Sequence, residues 1–337
     1  MIPNQWYVVL SSRQVRTRPV GVTRMGEKLV FWRDAHGRVA CMADLCAHRG
    51  VQLSTGKVLA DGHLQCPFHG FEYDASGAVT RIPANGRSAP VPERFHGRAY
   101  PTHEAHGFIW IWWGQRPPDD LAPPRFFDDL ATGGYSYGET IDPWRTHYTR
   151  AIENQLDAVH LPFVHKTTIG RGNRTVVDGP VVVWDDEAKL RFYVYNRVDD
   201  GVPPRRPEEI TPDPANDFHL EFIFPNLWQN CISDDVRVMA AFVPVDDENT
   251  LLYLRFYQRF VRVPVIRGVI NWLGAPSNLV IAHQDRRVVE TQRPKRVTLG
   301  MGEQLIQGDG PIAAYRRRRA ELLRAAGASA GPEGGPT

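Results

Sequence analysis

Two short pairs, Cys46-Ala-His48 and Cys66-Pro-Phe-His69, constrain this chain more than any other feature. Each pair runs Cys first and His second, and 17 residues separate them. That spacing suits one two-iron cluster with a split ligand set, two thiolates on one iron and two imidazoles on the other. Exchanging two thiolates for neutral imidazoles leaves the cluster less negative and raises its reduction potential. A tetrahedral zinc site uses the same residue types, but zinc fingers usually group both Cys in one pair and both His in the other. A disulfide between Cys46 and Cys66 leaves the histidines unexplained and lacks a secretory context. Arg49-Gly50 after the first pair and Gly70 after the second allow tight turns that point N–H groups at sulfur, as a cluster held between two loop tips requires.

The remaining composition bounds the answer. At 337 residues, 42% hydrophobic and 23% charged, the chain has the size and balance of about two globular domains. A net charge of +2 gives no reason to expect nucleic-acid binding. Cys41 and Cys231 read as small buried apolar residues. No apolar run is long enough to span a membrane and no signal peptide is expected, so the expected compartment is the cytoplasm.

Residues 1–115 read as β-rich. Lys28–Trp32 and Arg38–Met42 flank Asp34-Ala35-His36-Gly37, and Phe71–Tyr73 and Ala78–Thr80 flank Asp74-Ala75-Ser76-Gly77, two hairpin signals. Gly107–Trp113 is apolar on both faces and should be a strand buried on both sides. A Pro-rich linker is expected over 116–125. Beyond it, residues 126–327 read as a second domain: a helix over 144–161, strands over 180–184, 190–195, 218–224, 236–243 and 251–260, and a helix over 265–292 interrupted near Gly274-Ala275-Pro276. A long Pro-rich and charged loop covers 199–217, and a basic helix 312–326, with Tyr315 and Leu322 forming its inward stripe. Residues 328–337 read as a disordered tail. An antiparallel sheet with helices is an α+β layout.

A second constellation lies in Glu153–His165. Asp157 and His160 are three apart and share a face if helical. His160 and His165 would diverge by about 140° on one continuous helix, but Pro162 is placed to break it and let His165 swing back. Two His and one carboxylate are the common ligands of a non-haem ferrous ion. For the carboxylate, Asp285 is the best candidate. It shares a helix face with Ile281, Val288 and Gln292, and a buried carboxylate on an apolar face needs a partner. His283 and Glu290 point away from that face. The plainer reading pairs Asp285 with Arg286, Arg287 or Arg293.

With C-A-H-R-G, C-P-F-H-G-F and Asp157-x-x-His160-x4-His165 in this order, the chain resembles the Rieske ring-hydroxylating oxygenases from Trp6-Tyr7 to about Arg316. In size and spacing it is more similar to vanillate- and phthalate-type oxygenases and O- or N-demethylases. The resemblance implies a Rieske [2Fe–2S] domain on Cys46, His48, Cys66 and His69, followed by a helix-grip, START-like catalytic domain. His160, His165 and Asp285 then hold a mononuclear iron, with Asn154 near it. Asp157 becomes the bridge between His160 and His69 of a neighbouring subunit. The chain departs from the family in having Gln284 where an acid usually precedes the last ligand.

The resemblance also implies O₂ as co-substrate, electrons from a ferredoxin or an NAD(P)H-dependent reductase, and a cyclic homotrimer. No Gly-x-Gly-x-x-Gly follows a strand, so flavin or dinucleotide chemistry is expected from a partner. The expected reaction is hydroxylation or demethylation of a small aromatic or heterocyclic compound. Cis-dihydroxylation, and a Rieske electron carrier or ligand-binding protein without working mononuclear iron, are the alternatives. Trp184, Phe192, Tyr193, Tyr195, Phe222, Trp228, Phe242 and Tyr253 read as pocket lining or sheet core. Arg316–Arg319 reads as a docking patch for an acidic ferredoxin or as a solvated helix face.

Overall fold

The computed structural model describes residues 1–114, 120–170, 172–261 and 263–327. The first four residues of the expected linker and the expected tail therefore lie outside the described residues. The chain divides into two compact units, residues 3–124 with 244–246, and residues 125–243 with 247 onward.

The first unit is built from short strands: β1 Gln5–Ser11, β2 Val20–Arg24, β3 Glu27–Arg33, β4 Val39–Ala43, β5 Lys57–Val58, β6 Leu64–Gln65, β7 Glu72–Tyr73, β8 Val79–Arg81, β9 Ala99–Tyr100, β10 Thr102–Ala105 and β11 Phe108–Trp113. They form three small sheets, ordered β1-β11-β10, β2-β3-β4-β9 and β5-β6-β7-β8. Both expected hairpins form by the same chemistry. The Asp34 carboxylate accepts from the backbone N–H groups of His36 and Arg38, and Asp74 accepts from Ser76 and Ala78, each at 2.9 to 3.1 Å. An Asp that bonds the backbone two and four residues on pre-forms the turn. In β11 Phe108, Ile109, Trp110 and Ile111 are all essentially buried. Ile109 and Ile111 share one core with Tyr7, Leu10, Phe31 and Cys41. A second core runs from Val30 and Trp32 to Cys46, Cys66, Phe71 and Tyr73, placing both candidate thiolates against a packed interior.

The second unit carries a seven-stranded sheet of β12 Ser136–Trp144, β13 Val176–Trp184, β14 Lys189–Arg197, β15 His219–Ile223, β16 Leu227–Ser233, β17 Val236–Pro244 and β18 Thr250–Gln258. Its order is β12-β18-β17-β16-β15-β14-β13. With it are α1 Asp128–Thr132, α2 Tyr148–Leu156, α3 Leu161–Val164, α4 Pro264–Val289 and α5 Gly310–Ala325. The fold is thus the expected α+β layout, a β-rich first unit followed by an antiparallel sheet with helices.

Two strands of this sheet escaped sequence reading. β12 contains Gly138 and Pro143, which suppress a strand signal but are tolerated at the sheet edge where β12 lies. In β16, Gln229, Asn230 and Ser233 dilute the apolar alternation. β15 departs from one-face burial, because Glu221 and Ile223 are as buried as Phe222. Glu221 is matched there by Lys189 Nζ at 3.0 Å, Arg191 Nε at 3.1 Å and Gln229 Nε2 at 2.7 Å.

The helices need three corrections. Residues 144–161 are not one helix: Trp144 ends β12 and α2 stops at Leu156. Pro162 starts a new helix, α3, rather than ending the old one, a position where its missing N–H costs nothing. α4 runs unbroken through Pro276. Its Gly274 packs on β18, where an added Cβ would lie 2.6 Å from the Phe256 ring.

The 199–217 loop is tied to β13. Asp178 accepts from Arg205 N and Arg205 Nε, and Gly179 N donates to Arg205 O. On α5, Arg316 and Arg319 are buried, so the basic run is neither a docking patch nor a fully solvated face. Arg316 instead pairs with Glu153 of α2 at 2.6 Å, and Arg150 of α2 reaches Glu303 at 2.7 Å. These pairs anchor the helix from which the candidate metal residues emerge.

His147 caps α2, accepting from Thr149 N, and is fully buried. Burial, reinforced by the positive charge of Arg319, pulls its pKa down to about 2. The unfolded chain binds a proton near pH 6.5 that the folded chain refuses, so stability falls as pH drops below that value. His147→Asn keeps a capping side chain without the titration. In urea unfolding, the stability difference between wild type and this variant should shift in the variant's favour by about 1.4 kcal/mol from pH 7.5 to 5.5. An unchanged difference would contradict the assignment.

Candidate metal centres

The two Cys/His loops close identically. Cys46 N donates to Val51 O and Gly50 N returns to Cys46 O; Cys66 N donates to Phe71 O and Gly70 N returns to Cys66 O. Gly50 and Gly70 have φ of +71° and +73°, which a side chain would strain. Both thiols are buried and free, while His48 and His69 are exposed with ring centroids 4.7 Å apart. His48 stacks on Phe71. Burial pushes the Cys66 thiol up, and the N–H groups of Phe68 and His69 pull it down. Tyr73 donates its hydroxyl to Cys46 Sγ at 3.2 Å and accepts from Ala47 N at 2.9 Å. Two buried sulfurs cradled by donors beside two outward imidazoles have the donor chemistry of a split-ligand [2Fe–2S] site.

In the second unit His160, His165 and Asp285 each offer a ligand atom, all within 4.8 Å of one another. His160 follows α2 in a short loop, His165 ends α3, and Asp285 comes from α4. Asp285 Oδ1 lies 2.9 Å from His165 Nε2 and 3.4 Å from His160 Nε2. Despite that proximity this buried oxygen has no hydrogen-bond partner. The three atoms converge without bonding one another, the arrangement that a shared cation satisfies. Two imidazoles and one carboxylate suit a ferrous ion with open positions.

Burial would raise the Asp285 carboxyl, but the two imidazoles hold it below its usual value. Burial would also lower His160, yet Asp157 and Asp285 raise it to about 9. The arginines named as plainer partners for Asp285 are not placed to neutralise it. Arg286 bonds Asp142, Arg293 bonds the carbonyls of Glu290 and Gln292, and Arg287 is exposed. His283 meets Asp142 and Glu290 meets Arg145, both away from the site. The buried face of α4 here is Ala282, Asp285 and Val289; Val288, expected inward, is exposed.

Asp157 is extended at the end of α2, so it does not share a helical face with His160. It forms an Asx turn instead, accepting from Val159 N at 2.6 Å and His160 N at 3.4 Å. His160 Nδ1 lies 3.4 Å from Asp157 Oδ2 but is not aligned for a hydrogen bond. Asn154 and Asp157 line a polar cleft of about 330 Å³ with Arg150, Glu153, Glu303 and Arg316.

Three contacts were not assigned from sequence. Gln284 Oε1 faces His165 Nδ1 at 2.8 Å, Thr168 Oγ1 donates to the same oxygen at 3.0 Å, and Gln155 Nε2 approaches Asp285 Oδ2 at 3.5 Å. The adjacency of Gln284 to Asp285 was the available signal. Of the expected pocket aromatics, Phe192, Tyr193, Phe222, Trp228, Phe242 and Tyr253 are buried, and Phe222 packs edge-on to Tyr315.

Fold and donor sets together suit an iron–sulfur domain followed by a second domain whose His160, His165 and Asp285 could hold a metal ion. A Rieske [2Fe-2S] domain model matches residues 5–100, and the model of the vanillate O-demethylase oxygenase C-terminal domain matches residues 144–325. The second match exceeds half of the chain, and the chain belongs to that family. Among similar proteins, chlorophyllide a oxygenase of Chlamydomonas reinhardtii is 36% identical over 170 residues, covering 50% of this chain and 25% of that protein. The vanillate O-demethylase oxygenase subunit of a Pseudomonas species is 33% identical over 185 residues, covering 53% and 48%. The alignments thus span a quarter to about half of these curated relatives. Crystalline dicamba monooxygenase bound to dicamba has the same fold, with a TM-score of 0.74 at 20% identity over 97% of this chain and 99% of that one.

Hydrogen bonds to cluster sulfur raise reduction potential. Tyr73→Phe deletes the one to Cys46, so its cluster potential, read by redox titration, should fall while the visible spectrum keeps its form. An unchanged potential would contradict a cluster on Cys46.

Proposed function

We propose that this protein is the oxygenase component of a Rieske non-haem iron system that hydroxylates, or O- or N-demethylates, a small aromatic or heterocyclic substrate. The observation that carries this reading is the buried, partnerless Asp285 oxygen beside His160 and His165, in a chain that also bears the split Cys/His loops. Cys46 and Cys66 would hold one iron of the cluster and His48 and His69 the other, while His160, His165 and Asp285 would hold the mononuclear iron. Bound there, the cluster supplies electrons singly and the mononuclear iron supplies activation of dioxygen.

The protein's own groups do the positioning. The ion pairs of α2 with Arg316 of α5 and with Glu303 ahead of that helix fix the start of the 157–165 loop. Asp285 brings a negative charge into a site that excludes water, and Gln155 approaches its second oxygen. Asp157 turns the backbone that carries His160 and links it to His69 of the partner subunit in a cyclic trimer. A separate ferredoxin or NAD(P)H-dependent reductase is the electron donor, and the cytoplasm is the proposed compartment. No helix among the described residues is long and apolar enough to cross a membrane. The substrate class is supported by similar proteins named for vanillate and dicamba O-demethylation and by a similar structure, NdmA, solved with caffeine.

Two experiments test the reading. Iron analysis should give about three irons per chain, falling to about two in His165→Ala with the cluster spectrum retained. About two in the wild type would favour an electron carrier. Turnover of a substrate panel with NADH, a surrogate reductase and O₂ should yield products that gain one oxygen or lose a methyl group. Gain of two oxygens would overturn the monooxygenase assignment in favour of cis-dihydroxylation.

Asp157→Ala should retain both metals and the cluster spectrum while turnover collapses. Full turnover in that variant would sink the bridging role.

A further inference from the structure

We propose that Gln284 is a positioning residue that selects the metal-binding nitrogen of His165 and sets how strong a donor that imidazole is. The inference deepens the iron-site reading above and rests on it.

His165 is 1% exposed, so water does not decide its tautomer. Its Nδ1 faces Gln284 Oε1 at 2.8 Å, and the Thr168 hydroxyl donates to the same oxygen at 3.0 Å. A carbonyl oxygen only accepts, so Nδ1 carries the ring proton and Nε2 keeps its lone pair. That lone pair faces Asp285 Oδ1 at 2.9 Å. The two atoms are close but not aligned for a hydrogen bond, so the carboxylate oxygen stays partnerless beside the ring nitrogen. The Thr168 hydroxyl lies within reach of two acceptors, Gln284 Oε1 at 3.0 Å and His165 O at 3.3 Å. Were the amide reversed, its N–H would face Nδ1 and move the ring proton to Nε2, closing the metal position.

Gln284 and Asp285 are consecutive on α4, so one helix presents both a ligand and the group that orients another ligand. The charge matters as well as the geometry. A carboxylate at position 284 would draw the Nδ1 proton towards itself and make His165 a stronger donor. The amide gives the same tautomer without adding a second negative charge beside Asp285.

The test uses protein with the cluster in place, stripped of its mononuclear metal and titrated with cobalt(II) against a chromophoric chelator at fixed pH. Gln284→Leu, which leaves Nδ1–H buried without an acceptor, should bind cobalt roughly 10- to 100-fold more weakly. Gln284→Glu, which still accepts, should bind at least as tightly as wild type. With iron restored, Gln284→Glu should also lower the ferric/ferrous potential of the mononuclear site, which a merely structural role would not do. Equal affinity in all three proteins overturns the inference, as does equal weakening in both variants. If wild type and His160→Ala alike fail to bind cobalt, the iron-site reading falls and takes the inference with it.

Discussion

The second unit is organised around a buried carboxylate, one oxygen of which has no aligned donor. Asp285 is 2% exposed, the nearby arginines bond elsewhere, and its Oδ1 has no donor. An uncompensated charge in such a place is expensive, and folding proteins normally pair it or remove it. Here both neighbours within reach are imidazoles, and Asp157 and Asp285 raise His160 to about 9. A divalent cation would engage all three groups at once.

Convergence of that kind needs rigid supports, because the three residues come from separate elements. Buried Arg150, Glu153 and Arg316, with the exposed Glu303, supply one support, tying α2 to α5 and its approach. Close packing of Gly274 on Phe256 supplies another, setting α4 against β18. The Asx turn of Asp157 and the short helix opened by Pro162 then bring His160 and His165 back towards α4. In the first unit the cluster loops need less support from afar. Each is closed by its own Cys and Gly backbone groups, and only the sulfurs are embedded in a core.

That contrast explains what could be read in advance. Local chemistry is written in consecutive residues, so the two Asp-Ala-x-Gly hairpins, the paired glycines behind the Cys/His loops and the doubly buried β11 were all legible. Regular apolar periodicity exposed five strands of the large sheet. It missed β12, whose Gly138 and Pro143 are tolerated at the sheet edge, and β16, whose buried Gln229 is matched by Glu221 of the neighbouring strand. The arginine run on α5 misled for a similar reason. A charged side chain looks solvated until its partner is known, and Glu153 is 163 positions away from Arg316.

Sequence alone determined the donor inventory: two Cys/His pairs, two later histidines with an acid before them, and an Asp on a distant helix. It also placed Gln284 beside that Asp without saying what the amide does. Only the tertiary structure decided that His160, His165 and Asp285 meet, that Asp157 leaves the helical face to make a turn, and that Gln284 meets His165 rather than solvent. Spacing along the chain fixes a direction only within one regular element. Across the breaks at Asp157 and between α3 and α4, direction is set by packing and by the pairing of buried charge.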